Sequence, residues 1–309
     1  MSLEPQTATQ PSRIRLIALD LDDTLLGRDG RIHPADLAAL HAARRRGVRL
    51  VVATGRTWAA CREYVAQLGP DVPAITTGGA LVQDPDGRLL ESWRLPAEVA
   101  REAVAWADAH GVPVRVDLDD AFLFNRHPGS DFWNPDSPPY QLRPFERVVD
   151  GLARSLDRDP FQVVAVGRAT VRGLLRAFGH LEGEIRLLAL PDRDDPTVLH
   201  ITHRLATKGL ALAWLCERLG IPREATMAFG DGINDLPMLS FAGVAVAPEH
   251  GVPAARFLAD DVLRGPGGFA EVLRRHGVIS EEDAAGAEGR AAEADVDGRA
   301  AEADGRAAD

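Results

Sequence analysis

The stretch Leu16-Ile17-Ala18-Leu19-Asp20-Leu21-Asp22-Asp23-Thr24-Leu25-Leu26 decides how this chain is read. The largely apolar run from Ile14 to Leu19 has the character of a parallel strand buried on both faces. It stops at Asp20, and a second carboxylate follows two residues later. In extended backbone, residues i and i+2 face the same side, so Asp20 and Asp22 both point out of the strand's C-terminal end. That is the end at which open α/β sheets hold ligands. Carboxylates this close repel one another unless a cation joins them. Hard oxygen donors with no Cys or His nearby suit Mg²⁺. Taken alone, the stretch reads equally well as an Asp-rich turn after a strand.

The chain has 309 residues, and at about 150 residues per domain it has room for two. Formal net charge is −11, which argues against a non-specific nucleic-acid binder. The acidity is concentrated at the end. From Glu281 to Asp309 there are ten Asp or Glu and three Arg, a local charge of −7, leaving −4 for the rest. Cys61 and Cys216 both fall in helix-like segments and read as buried thiols of a reducing compartment. Met1 to Arg13 lacks an apolar core like that of a secretory signal, and no apolar run is long enough to cross a bilayer. A cytoplasmic protein with no membrane partner is the expectation. Lys208 is the only lysine, every other basic side chain being Arg. Such a position is either a chance survivor or one that needs a compact ammonium.

Helix and strand signals then alternate. Pro34 to Arg46 is amphipathic and closed by Gly47. Val48 to Ala53 is a second apolar strand, running into Thr54-Gly55-Arg56-Thr57 and a helix from Trp58 to Leu68. Strand, hydroxyl-and-glycine turn and helix together suit an anion, and equally a plain N-cap. Val72 to Ile75 is a third strand, followed by the turn Thr76-Thr77-Gly78-Gly79-Ala80. Asp84-Pro85-Asp86-Gly87 joins a hairpin of Leu81–Gln83 and Arg88–Trp93.

Between Leu95 and Leu190 the pattern changes to α+β, as for a separate inserted domain. It predicts helices over Pro96–His110, Phe145–Ser155 and Thr170–Phe178. Strands are expected over Val112–Val116, Ala121–Phe124, Phe161–Val166 and Glu184–Leu190. Asp117-Leu118-Asp119-Asp120 reads as a solvated hairpin turn. In the loop Pro128 to Pro144, Phe132, Trp133 and Tyr140 either line a pocket or anchor the loop. Thr197–Ile201 is again strand-like, and Thr207-Lys208-Gly209 opens a helix to Leu219. Ala225–Phe229 is a buried strand ending in Gly230-Asp231-Gly232-Ile233-Asn234-Asp235. Helix Leu236–Phe241, strand Val244–Ala247, a helix from Val252, strand Asp261–Leu263 and helix Gly267–His276 follow. The tail repeats Gly-Arg-Ala-Ala-Glu-Ala-Asp at Gly289 and Gly298, with little apolar surface to offset its ordering entropy.

Three strands thus end at Asp20, Thr54 and Asp231 in polar turns, and parallel strands share one C-terminal edge. That edge gathers a cation site beside anion donors, the combination a phosphate ester requires. These residues resemble the haloacid dehalogenase superfamily of phosphotransferases, and within it the Cof-type, subclass IIB hydrolases. Asp20-Leu21-Asp22-Asp23-Thr24-Leu25-Leu26 is similar to the family's first motif, and Ala53-Thr54-Gly55-Arg56 to its second. Lys208-Gly209-Leu210-Ala211-Leu212 is similar to the third, and Gly230-Asp231-Gly232-Ile233-Asn234-Asp235-Leu236-Pro237-Met238 to the fourth. The resemblance covers Ile14 to Val278.

The resemblance implies a Rossmann-like doubly wound parallel sheet at 1–83 and 191–279, an α+β cap at 84–190 that sets substrate specificity, and an acidic tail at 280–309. It implies Asp20 as nucleophile, forming an aspartyl-phosphate, and Asp22 as general acid and base. Asp20, the backbone carbonyl of Asp22, and Asp231 would hold Mg²⁺, with Asp235 in support. Thr54, the Gly55 N–H, Lys208 and Asn234 would bind the phosphoryl oxygens, and Arg56 would reach toward the substrate. The implied reaction is Mg²⁺-dependent hydrolysis of a small phosphorylated metabolite, a sugar phosphate among the candidates. A phosphomutase or phosphoglycosyl phosphatase, and a non-catalytic phosphometabolite-binding protein, are the alternatives. Two positions depart from the family pattern. Gly78 stands where Asn is common, and Glu249-His250-Gly251 replaces the usual Gly-Asn-Ala.

Overall fold

The computed structural model describes residues 13–129, 132, 140–192, 195–287 and 289. In chain order the strands are β1 (Leu16–Leu19), β2 (Arg49–Ala53), β3 (Ala74–Thr76), β4 (Leu81–Gln83), β5 (Leu89–Ser92), β6 (Val114–Asp117) and β7 (Phe122–Phe124). They continue with β8 (Glu146–Val148), β9 (Gln162–Val166), β10 (Ile185–Asp192), β11 (Asp195–His203), β12 (Thr226–Phe229), β13 (Val244–Pro248) and β14 (Asp261–Leu263). The helices are α1 (Pro34–Arg45), α2 (Trp58–Leu68), α3 (Ala97–His110), α4 (Leu152–Ser155) and α5 (Arg168–Phe178). The last four are α6 (Lys208–Leu219), α7 (Leu236–Phe241), α8 (Pro253–Leu258) and α9 (Phe269–Arg275). The chain forms two compact units. The first takes the chain up to Ala53, Cys61–Pro73 and the part from Ala213 onward; the second takes Thr54–Ala60 and Ala74–Leu212.

In the first unit, five strands lie in the order β14-β13-β12-β1-β2, all parallel. All residues of β1 and β12 are buried, as their largely apolar character requires when both faces of a sheet are covered. The cover includes α1, which buries Ala35, Ala39, Leu40 and Ala43, and α9, whose Phe269 ring stacks on Phe229 at 4.5 Å. Asp36 of α1 fixes α9 by accepting the Gly267 and Phe269 N–H groups at 2.9 and 3.0 Å. The chain moves from β1 outward to β2, then returns to β12 on the opposite side of β1. This reversal is a topological switch point, where open sheets place ligands. Leu19 pairs with Phe229, and the ladder runs one residue further, Asp20 N–H donating to Phe229 O at 3.0 Å.

In the second unit, β3, β4 and β5 pair antiparallel around the expected hairpin. A separate six-stranded sheet has the order β10-β11-β9-β6-β7-β8. One face carries Val114, Val116, Val163, Ala165, Leu199 and Ile201, packed with Ala100 and Val104 of α3 and Val171 and Leu174 of α5. The cross-strand partners Thr202, Gln162, Asp117 and Phe122 share the other face, and so do His200 and Arg115.

Several expectations are corrected. The helix expected over Phe145–Ser155 is a short strand, β8, parallel to β7, then the single-turn α4 after Gly151 at φ +67°. Asp117 is not a solvated turn residue. It ends β6, is 1% exposed, and takes Arg115 Nε at 2.6 Å, Arg115 Nη2 at 2.9 Å and Gln162 Nε2 at 2.6 Å. The strand around Thr197–Ile201, assigned to the parallel core from residue 191, is instead β11, antiparallel between β10 and β9. Residues 281–287 of the acidic tail are helical, with Ala284 and Ala287 buried. Ser280 and Asp283 hydrogen-bond each other reciprocally, and Asp283 also takes Arg46 Nε at 2.7 Å. Of the aromatic loop, Phe132 packs on Phe124 with ring centroids 5.3 Å apart, and Tyr140 donates to Glu146 at 2.8 Å. Both serve as anchors, whereas Trp133 lies outside the described residues. Cys61 and Cys216 are buried free thiols. Among the described residues no helix is long and apolar enough to cross a membrane.

Candidate active site

The first unit brings three of the expected acids together. One carboxylate oxygen from each of Asp20, Asp231 and Asp235 lies within 4.8 Å of the others. Asp20 is there because β1 ends with it, and Asp231 because β12 ends one residue before Gly230. Asp235 folds back over that turn, its Oδ2 accepting the Asp231 N–H at 3.2 Å and the Gly232 N–H at 2.9 Å. A Cβ on Gly230 would lie 2.6 Å from Asp235 Cβ, so the close approach requires glycine. Thr24 donates to Asp231 Oδ1 at 2.9 Å and fixes the orientation of that carboxylate. Three carboxylates this close repel one another, a cation between them relieves the repulsion, and an all-oxygen set fits a hard divalent ion such as Mg²⁺.

The carboxylate of Asp22 is not part of this cluster; its side chain is exposed. Its backbone is extended at φ −69°, ψ 130°, and Asp23 then turns left-handed at φ 57°. That turn is held by His250, whose Nε2–H donates to Asp23 O at 2.7 Å. Sequence reasoning noted His250 only as a departure from the family pattern. A histidine next to glycine after a strand carries no signal of a contact 227 residues away. Asn234 sits half-buried in the turn between Asp231 and Asp235.

The second unit holds the anion-binding candidates. Thr54 is fully buried, and its Oγ1 accepts the Arg56 N–H at 3.1 Å, closing the turn ahead of α2. Gly55 is exposed, with open space where a Cβ would stand. The turn is tied to the next one: Thr77 N–H donates to Arg56 O at 2.9 Å and Gly78 N–H to Thr54 O at 3.1 Å. Thr77, Gly78 and Gly79 all have positive φ, at 52°, 67° and 102°. For a β-branched residue such as Thr77 this is strained backbone, of the kind that collects at functional sites. Gly78 occupies the left-handed region, which Gly and Asn both tolerate. Lys208 opens α6 and is 0% exposed. Its backbone lies against Gly79, where a Cβ would be 2.1 Å from Thr207 C and 2.5 Å from Lys208 N.

A doubly wound parallel sheet with an acidic cluster at its switch point has the arrangement of a phosphoryl-transfer hydrolase. The chain belongs to the haloacid dehalogenase-like hydrolases, whose family profile matches residues 17–265. It is a phosphatase of that family. It is 30% identical over 259 residues to the pyridoxal phosphate phosphatase YbhA of Escherichia coli (strain K12), covering 81% of this chain and 93% of that protein. It is 28% identical over 255 residues to the 5-amino-6-(5-phospho-D-ribitylamino)uracil phosphatase YitU of Bacillus subtilis (strain 168), covering 79% and 90%. The fold matches that of a haloacid dehalogenase superfamily phosphatase from Bacteroides thetaiotaomicron, with a TM-score of 0.70 at 22% identity, covering 90% of this chain and 99% of that one.

Proposed function

We propose that this chain hydrolyses small phosphate monoesters through an aspartyl-phosphate on Asp20. The observation that carries the reading is the convergence of Asp20, Asp231 and Asp235 within 4.8 Å at the switch point. These three, with the backbone carbonyl of Asp22, are the groups to hold Mg²⁺, which when bound supplies the positive charge that lets an anionic nucleophile approach a phosphoryl dianion. Asp20 attacks phosphorus, an O–P bond forms, and the P–O bond to the leaving alcohol breaks. Asp22, exposed and outside the cluster, gives its proton to the departing oxygen. It then takes a proton from water, whose oxygen displaces phosphate from Asp20 and restores the carboxylate. Thr54, Gly55 N–H, Lys208 and Asn234 bind the transferring oxygens, with Arg56 directed at the substrate. The second unit, which carries the six-stranded sheet, acts as the cap that selects the leaving group. Relatives that act on pyridoxal phosphate and on a ribitylaminouracil phosphate support the class of small phosphorylated metabolites.

The test is turnover of p-nitrophenyl phosphate with Mg²⁺, after chelation, and in Asp20→Asn. Phosphate release is expected only in the intact, Mg²⁺-supplied protein. Retained turnover in folded Asp20→Asn would sink the covalent mechanism.

A further inference from the structure

A cavity of about 400 Å³ lies wholly within the second unit. It begins at Thr57 and Trp58, directly after the Thr54–Arg56 turn, and includes the strained Thr77, which is hydrogen-bonded to that turn. Its volume is in the range of small-molecule sites.

Four aromatic side chains line it: Trp58, Phe122, Phe145 and Phe161. They are held in place. Phe122 and Phe145 meet edge to face with centroids 5.3 Å apart. The Arg115 guanidinium sits 4.5 Å from the Phe122 centroid, and that of Arg94 4.4 Å from the Phe161 centroid. Trp58 lies so close to Gly87 that a Cβ there would be 2.3 Å from the indole Nε1. Preset flat walls favour a flat ligand, which gains stacking and edge contacts without an ordering cost. A polyol has no π-face and gains no stacking on the same walls.

The charge of the lining is one-sided. It includes Asp117, Asp119 and Asp120, and among the described residues that line it none is Lys, Arg or His. Asp117 is saturated by Arg115 and Gln162. Asp119 pairs with Arg94 and Asp120 with Arg158, but both carboxylates remain exposed and keep lone pairs for a ligand. A ring bearing N–H, O–H or ammonium groups finds acceptors here. A second anion on the substrate faces these carboxylates, and the guanidiniums of Arg94 and Arg158 beside them are already paired with Asp119 and Asp120.

We propose that this cavity takes the leaving group of the ester and selects a planar heteroaromatic ring carrying hydrogen-bond donors or positive charge. It selects against polyols and against esters with a second anionic group. The assignment rests on the phosphatase reading and narrows it to a substrate class.

The experiment compares kcat/KM for pyridoxamine 5′-phosphate, glucose 6-phosphate and phosphoglycolate, with acetyl phosphate as a small acyl phosphate that has no ring. Pyridoxamine 5′-phosphate should exceed glucose 6-phosphate and phosphoglycolate by at least about tenfold. Free pyridoxamine should inhibit acetyl phosphate hydrolysis competitively, and glucose should not. Phe145→Leu should shrink the preference for the ring by about fivefold or more. If that variant does not fold, the inhibition pattern of the unaltered protein decides. Equal or reversed preference, or equal inhibition by glucose, overturns the substrate class while leaving the phosphatase reading intact. No phosphate release from any of the four substrates overturns both.

Discussion

Replacing Gly79 by Ala should disable the enzyme through the backbone of Lys208. An ideal Cβ at Gly79 would lie 2.1 Å from Thr207 C, 2.4 Å from Thr207 O and 2.5 Å from Lys208 N. Ordinary contact begins near 3.4 Å, so the two segments must separate by about 1.3 Å. The atoms in the way are backbone, which cannot rotate aside as a long side chain would. Lys208 is fully buried at the start of α6, so its ammonium moves with its backbone. A displacement of about 1 Å at a catalytic group costs on the order of 100-fold in rate. The positive φ of 102° adds about 1–3 kcal/mol of strain for any residue with a Cβ. We expect kcat on p-nitrophenyl phosphate to fall by about 10- to 100-fold at saturating Mg²⁺, with a lower Tm.

Gly78→Ala is the matched control. Gly78 is also left-handed, at φ 67°, but nothing lies within 4 Å of its missing Cβ. That variant should lose about 1 kcal/mol of stability and keep kcat within about threefold. Circular dichroism and a melting curve separate the two effects. Wild-type kcat in a folded Gly79→Ala protein would refute the reasoning, because it would mean that the position of Lys208 does not depend on this contact. Equal losses of kcat in both variants would refute it as well, since strain alone would then account for the effect.

Lys208→Arg, measured the same way, should cost at least about tenfold in kcat, because a broad planar head must replace an ammonium in a fully buried position; wild-type turnover would show that charge alone suffices. Ending the chain after Ser280 should remove about 2 kcal/mol, from two buried alanines and the Ser280–Asp283 cap, and lower Tm by about 4–8 °C, whereas ending it after Gly289 should leave Tm nearly unchanged. Burial, reinforced by Arg115, pushes the His200 imidazole down to about 4, against the attraction of Asp117. The unfolded chain therefore binds a proton below about pH 6.5 that the folded chain refuses, and stability should fall from there to about pH 4 by up to about 3 kcal/mol. Melting curves at pH 7.5, 5.5 and 4.5 should show that slope reduced in His200→Gln.

The strands of the first unit were legible because a parallel sheet buried on both faces needs largely apolar runs, and Leu16–Leu19 and Thr226–Phe229 supply them. The acidic cluster was legible because both runs stop at Asp in adjacent strand ends. The second unit was less so. Asp117-Leu118-Asp119-Asp120 carries turn composition, and only the guanidinium two residues back on the same strand face shows that its first Asp is buried. That contact, and those to Gln162 and His200, exist only once β6, β9 and β11 pair. β8 is three residues long and too short to display a period, so its surroundings suggested a helix. The helix at 281–287 did leave a signal, Ser280-Glu281-Glu282-Asp283, a capping pattern hidden by the repetitive segment behind it.

The turn Thr76-Thr77-Gly78-Gly79-Ala80 shows where sequence reading stops for a physical reason. Two adjacent glycines announce unusual backbone, and the positive φ values at 77, 78 and 79 agree. The glycines do not announce why the backbone is unusual. At Gly78 the cause is local, since the residue is left-handed beside open space, and an Asn would serve. At Gly79 the cause is distant, since the chain at Thr207 and Lys208 leaves no room for a side chain. Composition cannot separate the two cases, because both demand the same residue. The same short turn donates the Thr77 and Gly78 N–H groups to the carbonyls of Arg56 and Thr54. It therefore couples the backbone of the Thr54–Arg56 turn to the backbone of the single lysine, through three residues that have little freedom to move. Strain at Thr77 is the cost of making that joint short, and the joint ties together two segments that lie more than 150 residues apart in the chain and that the proposed mechanism directs at one phosphoryl group.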